Sequence, residues 1–145
     1  MATSYMERSA LRPIIKAVGS VCETSAFPVG VSVAPDCDRP YYVVTSVSSP
    51  RYDGPFLHAP EADSMDRIQV ASVSDTADQA DWLRDKVREL LTIAALDQAF
   101  VDASVSRRTL RVILDIPRGV QRDDRGLPAP IFTSIDQYMI ETTPL

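Results

Sequence analysis

Asp66-Arg-Ile-Gln-Val-Ala-Ser-Val-Ser-Asp-Thr-Ala-Asp-Gln-Ala-Asp-Trp-Leu-Arg-Asp-Lys-Val-Arg-Glu-Leu-Leu-Thr-Ile-Ala-Ala-Leu96 carries two hydrophobic periods in succession. From Arg67 to Val73 apolar and polar side chains alternate, as in a half-buried strand, and Ala80, Leu83, Val87, Leu90, Leu91 and Ala94 then recur at helical spacing. The reading is a strand that runs straight into one long amphipathic helix. The switch falls at Ser74-Asp75-Thr76, where any of three short polar side chains can accept a hydrogen bond from the unpaired first N–H groups of the helix. Asp75 and Asp78 also suit the helix's positive end. This fixes architecture, but none of these side chains makes a chemical site.

At 145 residues the chain is expected to form one domain, 1–145, with residues 1–8 as a flexible or extended arm. An apolar share of 45% and a charged share of 24% are those of an ordinary globular protein. The formal net charge of -5 argues against nonspecific nucleic-acid binding, which depends on neutralising phosphates. Met1 to Arg8 lacks a basic region followed by an apolar run, and no stretch approaches the ~20 apolar residues of a membrane span. The expectation is therefore a cytoplasmic protein, with Cys22 and Cys37 as free thiols.

In chain order, Leu11, Ile14, Ile15, Val18 and Cys22 share one face of a helix from about Ser9 to Glu23, with Pro13 tolerated in its first turn. Val29, Val31 and Val33 give a short strand, and Pro35 to Pro40 a turn. Tyr41 to Val47 is β-branched and aromatic, hence a second strand. Ser49 to Ser64 has neither period and reads as a long loop, so Arg51, Tyr52, Asp53 and Phe56 become candidate contact residues. After the central strand and helix, Thr109 to Ile116 is a strand, and Pro117 to Pro130 a second long loop carrying Arg118, Arg122, Asp123, Asp124 and Arg125. Ile135 to Thr142 is a last strand, partly polar on both faces, as at an edge or a subunit interface. The expected fold is α+β, in the order α-β-β-β-α-β-β: a mainly antiparallel five-stranded sheet with two helices packed on one face. The opposite face, scattered with Tyr, Val, Ile and Met, is then more comfortable in an oligomer.

Reactive constellations are few. His58 lies in the proline-rich loop without a nucleophile context or a second histidine, and reads as an exposed loop residue. Asp63, Asp66, Asp75 and Asp78 lack calcium-loop spacing, and the glycines form no phosphate loop. Arg107, Arg108, Arg118, Arg122 and Arg125 interleave with aspartates, which suggests a solvated or protein-facing ionic surface. Asp81 with Arg84 and Asp85 with Arg88 read as surface pairs. Trp82 lies one position off the apolar stripe and either covers its rim or anchors a neighbouring subunit. The chain is not expected to be an enzyme, and no catalytic, cofactor-binding or metal-binding residue is assigned.

Several segments together resemble the small tail terminator, or tail-completion, proteins of long-tailed bacteriophages. They are Leu11-Arg-Pro-Ile-Ile-Lys16, Phe27-Pro-Val-Gly-Val-Ser-Val33, Arg39-Pro-Tyr-Tyr-Val-Val44, Asp66-Arg-Ile-Gln-Val70, Ala80-Asp-Trp-Leu-Arg-Asp-Lys-Val-Arg88 and Asp136-Gln-Tyr-Met-Ile140. The resemblance is one of order and spacing. It implies a virion protein, assembled in the host cytoplasm, that sits as a hexameric ring on the head-proximal end of the tail tube and ends its polymerisation. The implied partners are further copies of the chain, the major tail-tube protein and the head-tail connector or neck proteins, with DNA passing through the ring. It implies no cofactor and no catalytic residue. A neck or head-completion adaptor docking on the portal is the alternative, and a small cytosolic enzyme or regulator a third.

Overall fold

The structure is a computed structural model that describes residues 13–47, 51–53, 63–123 and 129–145. It begins with helix α1, Pro13–Glu23, which buries Ile14, Ile15, Ala17, Val18, Val21 and Cys22 and leaves Lys16 in solvent. The strands are β1 (Val29–Val31), β2 (Tyr41–Ser46), β3 (Arg51–Asp53), β4 (Asp63–Ser74), β5 (Arg107–Asp123) and β6 (Ile131–Pro144). Between β4 and β5 lie helices α2, Ala77–Leu90, and α3, Ile93–Asp102.

Five strands cross the sheet in the order β1-β2-β4-β6-β5, and the three-residue β3 pairs with the remaining length of β4. The sheet is mixed, because β1 runs parallel to β2 while every other pair is antiparallel. The expected mainly antiparallel sheet is therefore mixed, with the β1–β2 pair as its parallel member. The cause is local. Ser32 takes φ 67° and donates its N–H to the Val44 carbonyl at 2.8 Å, so the chain turns away after Val31. A Cβ at Gly30 would collide with the Val33 carbonyl oxygen and the Pro35 ring, so only glycine lets the chain double back there.

Three helices, not two, cover the sheet. The apolar spacing runs on from Leu90 to Leu96, yet the helix stops at Leu91 (ψ 54°) and Thr92 starts a new one. Thr92 is extended, and its Oγ1 accepts the Ala95 N–H at 3.2 Å. As a result Leu90 is only half-buried and Ala94 is exposed, while Leu91, Leu96, Ala99 and Phe100 enter the core. Of the three candidates for the α2 cap, Thr76 fills the role, accepting the Gln79 N–H at 3.2 Å. Asp75 is instead engaged with Arg39 at 2.7 Å, and the Ser74 hydroxyl donates to the Thr76 carbonyl.

Pro117 does not end β5. The strand continues to Asp123 because it is the sheet edge, where a missing N–H deprives no neighbour of a bond. Arg118, Arg122 and Asp123 therefore lie on a strand, not in a loop. Three register shifts along the β5–β6 ladder, around Leu110, Asp115 and Arg118 to Gly119, accommodate the longer strand. Of the two readings of the last strand, an edge or a subunit interface, the edge is excluded, since β6 lies between β4 and β5.

The core lies between the helices and one face of the sheet. Tyr42 and Val44 of β2, Ile68 and Val70 of β4 and Tyr138 and Ile140 of β6 point into it, meeting Ile15 and Val18, Leu83 and Val87, and Leu96 and Phe100. The Tyr42 hydroxyl donates to the Leu83 carbonyl at 2.9 Å, so the largest buried side chain of the sheet is also tied to α2.

Candidate functional site

Alternation along the strands sends the odd-numbered residues of β2, β4 and β6 to the sheet face away from the helices. The register sets Val43 beside Ala71 and Ala71 beside Ile135, and it sets Arg67 beside Met139 and Met139 beside Ile113. Val43, Ala71, Ile135, Met139 and Ile113 are each half-buried, and none belongs to the core cluster. Toward the β3 end this face becomes ionic. Arg111 holds Glu141 through two bonds of 2.8 and 2.7 Å, and this raises the guanidinium pKa. Asp115 accepts from the Gln137 amide at 3.0 Å and stands 3.7 Å from Arg67. A surface apolar at one end and charged at the other is suited to binding protein.

The sequence-derived contact residues fall into two groups that the fold keeps apart. Arg51, Tyr52 and Asp53 belong to β3, with backbone partners Met65, Ser64 and Asp63 at the start of β4, which corrects their assignment to a loop. Arg118, Arg122 and Asp123 are exposed on β5, and Arg122 stands opposite Phe132, itself opposite Ser74 at the end of β4. Arg51 and Arg122 thus sit at opposite ends of β4, about 30 Å apart at about 3.3 Å per residue, with Arg118 between them at the level of Val70 to Ser72. Phe56, Asp124 and Arg125, like His58, lie outside the described residues. Trp82 is 52% exposed and meets the Phe27 ring edge-on at 5.7 Å, while Phe27 stands edge-on to Tyr42 at 6.3 Å. It covers the rim of the core and keeps half its surface in solvent.

One polar cluster escaped the sequence reading. Arg88 does not pair with Asp85 but reaches Asp136 on β6, giving bonds of 2.8 and 3.0 Å to its two oxygens. The Tyr138 hydroxyl donates to the same carboxylate at 3.3 Å. Asp136 is 2% exposed, and its charge is matched by a guanidinium whose pKa the contact raises. Burial, followed by the charge of Asp136, pushes the Tyr138 phenol up, so it stays a proton donor. The cluster locks α2 to the sheet. By contrast, the Asp81–Arg84 pair forms as expected, at 3.1 Å.

Both cysteines are free, Cys22 buried and Cys37 exposed. Burial, with a smaller push from Glu23, drives the Cys22 thiol up to about 12. A cleft of about 150 Å³ between α1 and α3, lined by Val21, Thr24, Ala95, Gln98 and Asp102, is smaller than the roughly 300–1,000 Å³ of ligand sites. Among the described residues no cluster of three or more His, Cys, Asp or Glu could hold a metal, and no helix is long and apolar enough to cross a membrane. The chain matches none of the known family models it was compared with, and none of the curated proteins.

Proposed function

We propose that this chain is a structural subunit of a bacteriophage tail, forming the ring that caps the head-proximal end of the tail tube and joins it to the head. The observation that carries the reading is the sheet face away from the helices, uncovered by any described element, where Val43, Ala71, Ile135 and Met139 are half-buried and suited to a protein partner. The resemblance of its sequence segments to tail terminators, in order and spacing, supports the same reading. A ring subunit at a joint also needs contacts at two separated levels, and the ends of β4 offer them about 30 Å apart. The partners are further copies of the chain, the tail-tube protein and the neck proteins.

The test is tube length. Purified chain added to polymerising tail-tube protein stops growth and yields capped tubes by electron microscopy. Val43→Lys with Ile135→Lys, which places two charges on the uncovered face, abolishes capping and leaves the melting temperature within a few degrees of the parent. Tubes that grow unchecked in the presence of the parent chain overturn the reading, and binding to portal instead of tube protein turns it into a neck adaptor.

A further inference from the structure

The middle of the sheet face away from the helices is held by an amide. The rows of side chains on that face run from Met65 to Val73 along β4, and the central row sets Thr45 beside Gln69, Gln69 beside Gln137 and Gln137 beside Ile116. Strands β4 and β6 are also the inner two of the four, β2, β4, β6 and β5, that span the face. Gln137 donates its amide to Asp115 at 3.0 Å, whereas Gln69, half-buried, makes no side-chain hydrogen bond among the described residues. An amide carries both donor and acceptor. A second amide turned about a two-fold axis therefore satisfies it and is satisfied by it.

The surroundings of Gln69 are equally able to meet a copy of themselves. In the rows of Met65 to Gln69 the described charges are Arg67, Arg111, Asp115 and Glu141, two of each sign, with Arg111 on Glu141 and Arg67 3.7 Å from Asp115. The chain has a formal net charge of -5, yet this patch is neutral, so a copy of it is not repelled. Val43, Ala71 and Ile135 form the next row, and exposed Ile116 closes the margin on β5. Four strands of about 4.8 Å and the eleven paired residues of β4 and β6 make a face of about 19 Å by 33 Å. Two such faces bury roughly 1,200 Å², the lower end of the about 1,200–2,000 Å² of stable interfaces.

We infer that the occupant of this face is a second copy of the chain, packed sheet on sheet about a two-fold axis that passes beside Gln69. Aligned sheets stack about 10 Å apart, and side chains of the two faces interdigitate between them. Whichever way the axis lies in the plane of the contact, it crosses the middle of the face, so Gln69 meets its own copy. A contact of one patch with itself is used up when two copies have met, and assembly through it stops there. The pairing stands on the geometry of the face alone. Its bearing on function rests on the tail-cap reading, in which a tube end that takes this face first parts the two copies.

Sedimentation of the full chain at micromolar concentration gives a dimer. Gln69→Glu sets two carboxylates together on the axis and raises the dissociation constant at least about tenfold, with an unchanged melting temperature. In a chain carrying Cys37→Ser, whose remaining Cys22 is buried, a short bismaleimide links Gln69→Cys to its own copy and leaves Gln98→Cys, exposed on α3, unlinked. Should Gln69→Glu melt early, the two cysteine variants decide. A parent chain that stays monomeric, a folded Gln69→Glu variant that pairs as the parent does, a dimer that is not linked at Gln69, or linkage as ready at Gln98 overturns the pairing. A paired face without tube capping overturns the tail-cap reading alone, and capping by a chain that is monomeric throughout overturns the pairing alone.

Discussion

Replacing Arg88 by leucine is the most searching test of how the sheet is held to α2. The substitution removes both bonds to Asp136 and leaves a carboxylate that is 2% exposed. Breaking a buried ion pair from one side costs about 3–5 kcal/mol, because the remaining charge has lost its counterion. Tyr138 still donates to Asp136 at 3.3 Å, which sets the expectation at the lower end, about 3 kcal/mol. Asp136→Asn is expected to cost less, about 1–2 kcal/mol, since the charge left behind belongs to Arg88, whose side chain is 34% exposed and can turn to water. Combining the two substitutions should cost little more than Asp136→Asn alone, because no unpaired charge remains buried. Urea unfolding followed by circular dichroism at pH 7 gives all three values, provided the slope against denaturant is unchanged. An Arg88→Leu cost below about 1 kcal/mol, or equal to that of Asp136→Asn, refutes the reasoning.

Leu83→Ala should cost about 2–5 kcal/mol by urea unfolding, and Leu90→Ala clearly less, because Leu83 is fully buried while Leu90 is only half-buried at the point where α2 ends. Equal costs would mean that the helix runs on past Leu91. Stability should also fall in alkali. Cys22 is raised from 9.0 to about 12 by burial, and Tyr42 and Tyr138 are raised above 10.0, so the folded chain keeps protons that the unfolded chain gives up. That stability is complete below about pH 9 and is lost as pH rises toward 12, by up to about 1.4 kcal/mol per pH unit for each group. Cys22→Ala should remove the part of the loss that begins near pH 9, leaving the tyrosine part that begins near 10; an unchanged profile by urea titration would count against a buried thiol.

The strands and helices that were legible in the sequence are those that bury one face and wet the other. Tyr41 to Ser46 and Arg67 to Val73 alternate for that reason, and the same alternation lets the odd-numbered residues of the uncovered face be read as partly apolar. The break at Thr92 was hidden, because Leu90, Leu91 and Ala94 keep a helical spacing through it, and only the β-branched cap betrays it. The extension of β5 past Pro117 depends on its being an edge, a tertiary fact that no local pattern contains. Arg88 and Asp136 lie 48 residues apart, and a helical neighbour such as Asp85 is the natural partner until β6 is in place. Arg51 to Asp53 and Arg118 to Asp123 read as loop residues because Pro, Gly and charge break the local period there, and only the pairing with β4 and β6 shows them to be strands.

The separation of the two ends of β4 has a consequence for how the protein can change over generations. The β3 end and the Arg122 end of the sheet are linked by the paired length of β4 and β6, whose register runs unshifted from Ser64 beside Thr142 to Ser74 beside Phe132. Substitutions at one end need not displace the other. Each end can drift without disturbing the other, and a laboratory can graft new binding sequences onto one end while keeping the other as it is.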